Sequence, residues 1–161
     1  MADENMLFAT EEQQAVYNKQ QEVEEVATRK YLTFRTDNLL FGIEAEIVME
    51  IITNYSATYV PMVPSYVRGI INLRGQIIPL LDMRQRLNIE PIDTDCIIVI
   101  DVGDVRIGIL VDAVSQIIDI PIDSILPVPQ HNAQKYVSGM CNMPDNSGTM
   151  LVLDCPLLLA N

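Results

Sequence analysis

The sequence predicts an all-β protein built from two small barrels. Three observations carry this expectation. Apolar residues make up 49% of the chain, aromatics only 6%, and Trp is absent, so Ile, Val and Leu must form the core; β-branched side chains favour strands. From Tyr31 onward the apolar runs are short and separated by turn residues. The pattern of the first half then recurs along the chain at a shift of 66 residues.

Composition sets the outer limits. A chain of 161 residues hides roughly 70% of its unfolded surface on folding, so a core needs no disulfides. The formal net charge is −12. So acidic a surface repels phosphate, which speaks against nucleic-acid and anionic-membrane partners and suits a partner with a basic patch. No apolar run reaches the ~18 residues that span a bilayer, so no direct membrane insertion is expected. The acidic start Met1-Ala2-Asp3-Glu4 cannot serve as the basic region of a signal peptide. Cys96, Cys141 and Cys155 are odd in number and far apart, with no C-x-x-C or Cys/His ligand spacing. They read as small buried hydrophobes in a reducing compartment, and no metal site is expected.

Residues 1–30 are polar and acidic, a tail or a solvated helix that contributes little to the core. Tyr31 to Thr36 then alternates, Asp37-Asn38 turns, and Leu39 to Ile43 returns as the second arm of a hairpin. An extended run follows from Ile47 to Thr53, then a loop punctuated by prolines, Val60-Pro61-Met62-Val63-Pro64. Strands are expected at Gly69 to Leu73 and Ile77 to Leu81, with Arg74-Gly75 as the turn between them. Pro79 lacks a backbone N–H, which places its strand at an edge or a bulge. Met83 to Leu87 reads as a short helix, with Asp82 as N-cap and Gln85 at its third position.

The repeat is the most informative feature. Phe41-Gly42-Ile43 falls on Ile107-Gly108-Ile109, Val48 on Val114, Ile51-Ile52 on Ile117-Ile118, and Val60-Pro61 on Leu126-Pro127. The turn Asp37-Asn38 lies over Gly103-Asp104. Further on the shift grows to 70, where Val67 to Leu73 matches Val137 to Met143, and to 72, where Leu80-Leu81-Asp82 matches Val152-Leu153-Asp154. Coincident Gly, Asn, Pro and Asp positions are harder to produce by chance than coincident apolar ones. Each unit holds about five short strands, which can close a small barrel and hide their edges. A single irregular β-sandwich is the alternative.

Little in the chain reads as catalysis. His131, in Gln130-His131-Asn132, lies in a polar loop with no positioned nucleophile nearby, and reads as a solvated residue rather than a general base. Asp82 and Asp154 close equivalent strands, and paired aspartates can share a proton. Their contexts, Asp82-Met83-Arg84 and Asp154-Cys155-Pro156, lack the Asp-Thr/Ser-Gly turn of aspartic proteases. Strand-end capping explains both residues. Arg74, at a hairpin tip beside an apolar strand pair, is a candidate binding anchor as well as a solvated turn residue. A seam between two barrels is a natural groove for a partner's amphipathic helix.

The segment Val67-Arg68-Gly69-Ile70-Ile71-Asn72-Leu73-Arg74-Gly75-Gln76-Ile77-Ile78-Pro79-Leu80-Leu81-Asp82 closely resembles the signature of the CheW family of bacterial chemotaxis. Arg106 to Val114, Tyr136 to Gly139 and Met150 to Asp154 resemble its later blocks, and the likeness covers about residues 31–158. It implies two intertwined SH3-like five-stranded β-barrels with a few short helices, the first over about 37–88 and the second over about 95–158, with the first strand open to sharing. It implies a non-enzymatic cytoplasmic adaptor, without cofactor, at receptor arrays on the inner face of the membrane. The implied partners are the cytoplasmic helices of chemoreceptors and the regulatory domain of the histidine kinase CheA. Carried over by position, the receptor-facing groove includes Val48, Glu50, Gly69, Asn72, Arg74, Val114 and Ile117. The loop Leu126 to His131, with Gln130, faces the kinase. Gly69 also has a structural reading, as a residue whose backbone angle others cannot adopt. A CheW-like adaptor of a related kinase pathway, for surface motility or development, fits the same residues. The kinase's own regulatory domain shares the fold, and the two-domain CheV relative is disfavoured because no receiver domain follows.

Overall fold

The computed structural model describes residues 10–13, 26–128 and 135–160. Ten strands form two five-stranded sheets. In chain order they are β1 (Thr28–Thr36), β2 (Leu39–Glu44), β3 (Val48–Ile52), β4 (Val67–Leu73), β5 (Gln76–Asp82), β6 (Cys96–Val102), β7 (Val105–Val111), β8 (Ala113–Pro121), β9 (Val137–Asn142) and β10 (Thr149–Leu153). Two short helices, α1 (Met83–Arg86) and α2 (Cys155–Leu159), follow β5 and β10. Among the described residues no helix is long and apolar enough to cross a membrane.

One sheet runs β8-β1-β2-β10-β9 and the other β3-β6-β7-β5-β4. Carrying each of β1–β5 onto its counterpart among β6–β10, and the reverse, turns one order into the other. The repeat seen in the sequence is therefore a pseudo-twofold relation between sheets. The halves of the repeat and the sheets do not coincide, however. One sheet joins residues 28–44 to 113–153, and the other takes residues 48–111. The exchange comes from two antiparallel pairings, β1 with β8 and β3 with β6, and from two parallel ones, β2 with β10 and β5 with β7. The parallel pairs keep the repeat's register, because Val152 faces Gly42 just as Leu80 faces Gly108.

Each sheet closes on itself through the chain that leaves its edge strand. Thr58, beyond β3, exchanges backbone hydrogen bonds with Ile70 of β4 (N to O 2.8 and 2.9 Å). Leu126, beyond β8, does the same with Met140 of β9 (2.8 and 2.9 Å). Closure of this kind leaves few strand edges open to aggregation. Gly69 sits beside the first bridge with φ +151°, and a Cβ there would collide with the Thr58 carbonyl oxygen.

Three clusters of buried side chains follow from this architecture. Ile71, Ile78, Leu80, Ile97, Val99 and Leu110 fill one barrel. Tyr31, Leu40, Ile120, Cys141, Met143, Met150 and Val152 fill the other. The largest cluster lies between them, with Phe34 and Phe41 stacked at 5.4 Å beside Ile43, Ile98, Ile100, Ile107 and Ile109. On β6, Ile97 and Val99 point into a barrel while Ile98 and Ile100 point into the seam. A strand buried on both faces must be apolar throughout, which is why this segment reads Cys-Ile-Ile-Val-Ile. The middle of the seam is thus packed, and only its rims remain open to a partner.

Three sequence expectations shift. β1 begins at Thr28, inside the stretch read as an extension, because Thr28, Arg29 and Lys30 pair with Pro121, Ile120 and Asp119 of β8. Residues 45–47 form a 3-10 turn, so β3 starts at Val48 rather than Ile47. β5 is an interior strand rather than an edge. Pro79 is tolerated there because the parallel ladder to β7 starts one residue later, at Leu80–Gly108. The helix cap holds: the Asp82 carboxylate accepts from the Arg84 and Gln85 amides. Its own N–H goes to the Tyr66 carbonyl (2.7 Å). Between the barrels the Arg86 guanidinium lies over the Tyr66 ring at 3.9 Å and the Tyr136 ring at 4.7 Å, and donates to the Leu158 carbonyl.

Candidate functional site: an arginine–glutamate fork on a barrel mouth

The β4–β5 hairpin turns in two residues, Arg74 (φ +52°) and Gly75 (φ +83°). Positive φ at both positions marks the type I′ turn, whose twist matches that of the strands. Asn72 secures it by accepting the Gly75 amide at 3.1 Å. Barrel closure brings β3 and β4, the outer strands of their sheet, close together. Arg74 therefore reaches Glu50 on β3 with both guanidinium arms, Nη1 to Oε1 at 3.0 Å and Nη2 to Oε2 at 3.1 Å. The Arg74 side chain is 78% exposed and that of Glu50 24%. So exposed a pair contributes less than about 1 kcal/mol to folding. Arg74 can thus exchange Glu50 for a partner's carboxylate at little expense to stability.

Beside this fork lies a cleft of about 250 Å³, shared by Met49, Gln76, Ile78 and Arg106. Arg106 donates to the Gln76 side-chain oxygen at 2.5 Å and stands 3.8 Å from Asp101. Met49, Ile51 and Ile77 are exposed apolar residues on the same strands, β3 and β5. Two guanidinium groups amid apolar side chains suit an amphipathic helix that carries carboxylates.

The other expected site residues are placed differently. Val48 and Val114, equivalent in the repeat, both pack against the central core. Ile117 stands 60% exposed on β8, an outer strand of the other sheet. Gly69 lies at the closing bridge of the barrel that carries Arg74. Glu50, Asn72 and Arg74 therefore meet, whereas Val114 and Ile117 belong to the second barrel. Leu126, also 60% exposed, forms that barrel's closing bridge. Gln130 and His131 lie outside the described residues. Asp82 and Asp154 each cap a helix, and Asp82 also binds Arg68 at 2.5 Å. Sequence reading missed Met49, Gln76, Ile77 and Arg106. Their signal was present in outward positions on strands whose neighbours are core.

The tertiary arrangement defines a class first: a pair of closed barrels whose exposed chemistry is suited to gripping other proteins, a scaffold. The comparisons give the family. Residues 30–161 match the model of the CheW-like domain. The chain is 38% identical over 105 residues to a probable chemotaxis protein CheW of Rhizobium etli, spanning 63% of this chain and 68% of that one. To the chemotaxis protein CheW of Klebsiella aerogenes it is 27% identical over 143 residues, 85% of each. The crystal structure of the scaffolding protein TtCheW from Thermoanaerobacter tengcongensis superposes with a TM-score of 0.77 at 28% identity, covering 84% of this chain and 94% of that one. The chain belongs to the CheW family, and its class is that of a chemotaxis adaptor.

Proposed function

We propose that the chain works without catalysis, as a cytoplasmic bridge between chemoreceptor helices and the regulatory domain of the histidine kinase CheA at receptor arrays. One rigid body that touches both partners changes the relative stability of their active and inactive arrangements, which is all that coupling requires. The observation that supports this reading is the Arg74–Glu50 fork, whose arginine is largely exposed and whose cleft is shared with Met49, Leu73 and Ile78. We take Val48, Glu50, Gly69, Asn72, Arg74, Val114 and Ile117 as the receptor-facing set. The segment from Leu126 to His131, including Gln130, faces the kinase.

The test is a binding assay with purified full-length kinase and a receptor cytoplasmic fragment. Wild-type protein is expected to bring all three into one complex. Arg74→Glu sets two carboxylates against each other, and is expected to weaken receptor binding about tenfold while leaving kinase binding in place. The variant's melting temperature should stay within a few degrees of wild type, given how little an exposed pair contributes. Wild-type protein that binds neither partner overturns the proposal.

A further inference from the structure

The repeat supplies an internal comparison at the two rims of the seam. On one rim, Asp82 is paired with Arg68 at 2.5 Å. Beside it Asp112 receives the forked guanidinium of Arg84 at 2.8 and 2.6 Å. The repeat carries Asp82 onto Asp154 and Asp112 onto Glu46, so both carboxylates recur on the other rim. It carries Arg68 onto Ser138 and Arg84 onto Pro156, so both cations are gone. Neither Asp154 nor Glu46 makes an ion pair among the described residues. The Asp154 side chain accepts only the Leu157 amide (3.0 Å), its capping bond, among the hydrogen bonds of the described residues.

The missing side chains leave space. A cleft of about 390 Å³ opens there, lined by Glu44, Ile47, Asp101, Ser138, Asp154 and Pro156. Buried Val152 and Leu153 form its floor. Glu44 is held by Arg29 at 3.1 Å and Asp101 more loosely by Arg106 at 3.8 Å, which leaves Asp154 as the lining carboxylate with no ion pair among the described residues. The Cys155 thiol, also at this cleft, is pushed up to about 12, first by burial and then by the charges of Asp154 and Glu44. Asp154 and Glu44 both line this volume, whereas Glu46 stands outside its lining. An apolar floor suits the methylene stem of arginine, and the carboxylates suit its planar fork.

The geometry points to this cleft as a docking socket for arginine presented by a basic segment of another protein, seated as Arg68 and Arg84 are seated on the opposite rim. A second copy of the chain is a poor occupant. Its net charge of −12 repels a like molecule. Arg29, Arg68 and Arg84 are already engaged with their own carboxylates, and Arg86 with backbone carbonyls. The inference does not rest on the partner assigned to Arg74.

The test uses the full chain, isotopically labelled, and a capped alanine-based peptide with two arginines four residues apart. A matched peptide carries citrulline, neutral and of the same shape, in their place. Amide shifts are expected at Ser138, at Asp154, Cys155 and Leu157 and at Glu44 to Ile47, with the citrulline peptide binding at least about tenfold more weakly. Ser138→Arg with Pro156→Arg rebuilds the filled rim, and should weaken the arginine peptide to a similar degree. Asp154→Asn should weaken it too, and decides the matter if the double variant does not fold, because Asn also caps helices. Asp123→Asn removes a charge elsewhere and should change binding less than about twofold. An absence of shifts at the cleft overturns the proposal. So does a loss for Asp123→Asn equal to that for Asp154→Asn, which would mark mere attraction to an acidic surface.

Discussion

Replacing Gly69 by alanine separates the two roles open to this residue, closing a barrel and facing a partner. The backbone at Gly69 has φ +151°, a region that strains any residue with a Cβ. That strain is of order 1–3 kcal/mol. The new Cβ would also meet the Thr58 carbonyl oxygen, a backbone atom that cannot swing aside. Relief requires the segment at Thr58 to retreat, and it is held by two hydrogen bonds of 2.8 and 2.9 Å to Ile70. Each is worth about 1 kcal/mol net. Together these give a destabilisation of about 3 kcal/mol. In a chain of this size that lowers the melting temperature by roughly 6–12 °C. Gly103→Ala is the control, because its φ is +63° and an added Cβ meets nothing within 4 Å. It should lose only about 1 kcal/mol. Urea denaturation followed by circular dichroism measures both. If Gly69→Ala stayed within 1 kcal/mol of Gly103→Ala, barrel closure would not explain the glycine, and a role in binding would have to.

Other expectations follow from individual contacts. The Arg84 guanidinium, assisted by the Asp37 amide, holds the Asp112 carboxyl below its usual range. A depressed carboxyl stabilises the fold above its unfolded value of about 3.9, and that stability is lost as pH falls through the lower folded value. Asp112→Asn should therefore flatten the acid limb of a stability–pH curve and leave its slope near pH 7 unchanged. Arg86→Ala removes a cation between two rings and its bonds to the Leu158 carbonyl. It should release α2 before global unfolding, seen as faster amide exchange at Leu158, at a loss of about 1–3 kcal/mol. Cys155 is buried, with its thiol near 12. It should resist an aromatic disulfide reagent at pH 8 until the chain unfolds, and rapid labelling in the folded state would contradict the packing described.

The sequence revealed the fold through particular residues rather than through overall composition. Gly42 and Gly108 mark the same ladder position because a Cβ at either would press on a core side chain, Met150 or Ile97. Asp82 and Asp154 mark strand ends because both cap helices, and both N–H groups reach a tyrosine carbonyl at 2.7 Å. What stayed hidden was which strands pair across the repeat. Hydrophobic alternation shows a strand's faces but not its neighbours, so the repeat alone put one barrel in each half, and only the family resemblance implied intertwining and a first strand open to sharing. For the same reason the interior place of β5 was missed. Arg74 was legible from its turn, whereas its partner Glu50 was placed only by family resemblance. Their contact depends on closure between strands some twenty residues apart, which no local pattern encodes. The salt links Arg68–Asp82 and Arg84–Asp112 were likewise invisible until the fold aligned them.

The departures from the repeat say more about function than the repeat itself. Tyr66 and Tyr136, Gly69 and Gly139, and Asp82 and Asp154 are shared because a closed five-stranded barrel needs them at those points. The tight turn at Arg74 becomes a longer one spanning Met143 to Gly148, and Arg68 and Arg84 become Ser138 and Pro156. A pair of identical barrels could offer only two copies of one surface, and so could only join like to like. An adaptor between unlike proteins needs ends that discriminate, and discrimination comes from charge and shape rather than from the frame beneath them. Holding the strands constant while keeping these cations on one rim only achieves this with few substitutions. The exposed guanidinium of Arg74 suits a partner's carboxylate, and Asp154, without an ion pair among the described residues, suits a basic group, so the twofold frame carries two opposite preferences.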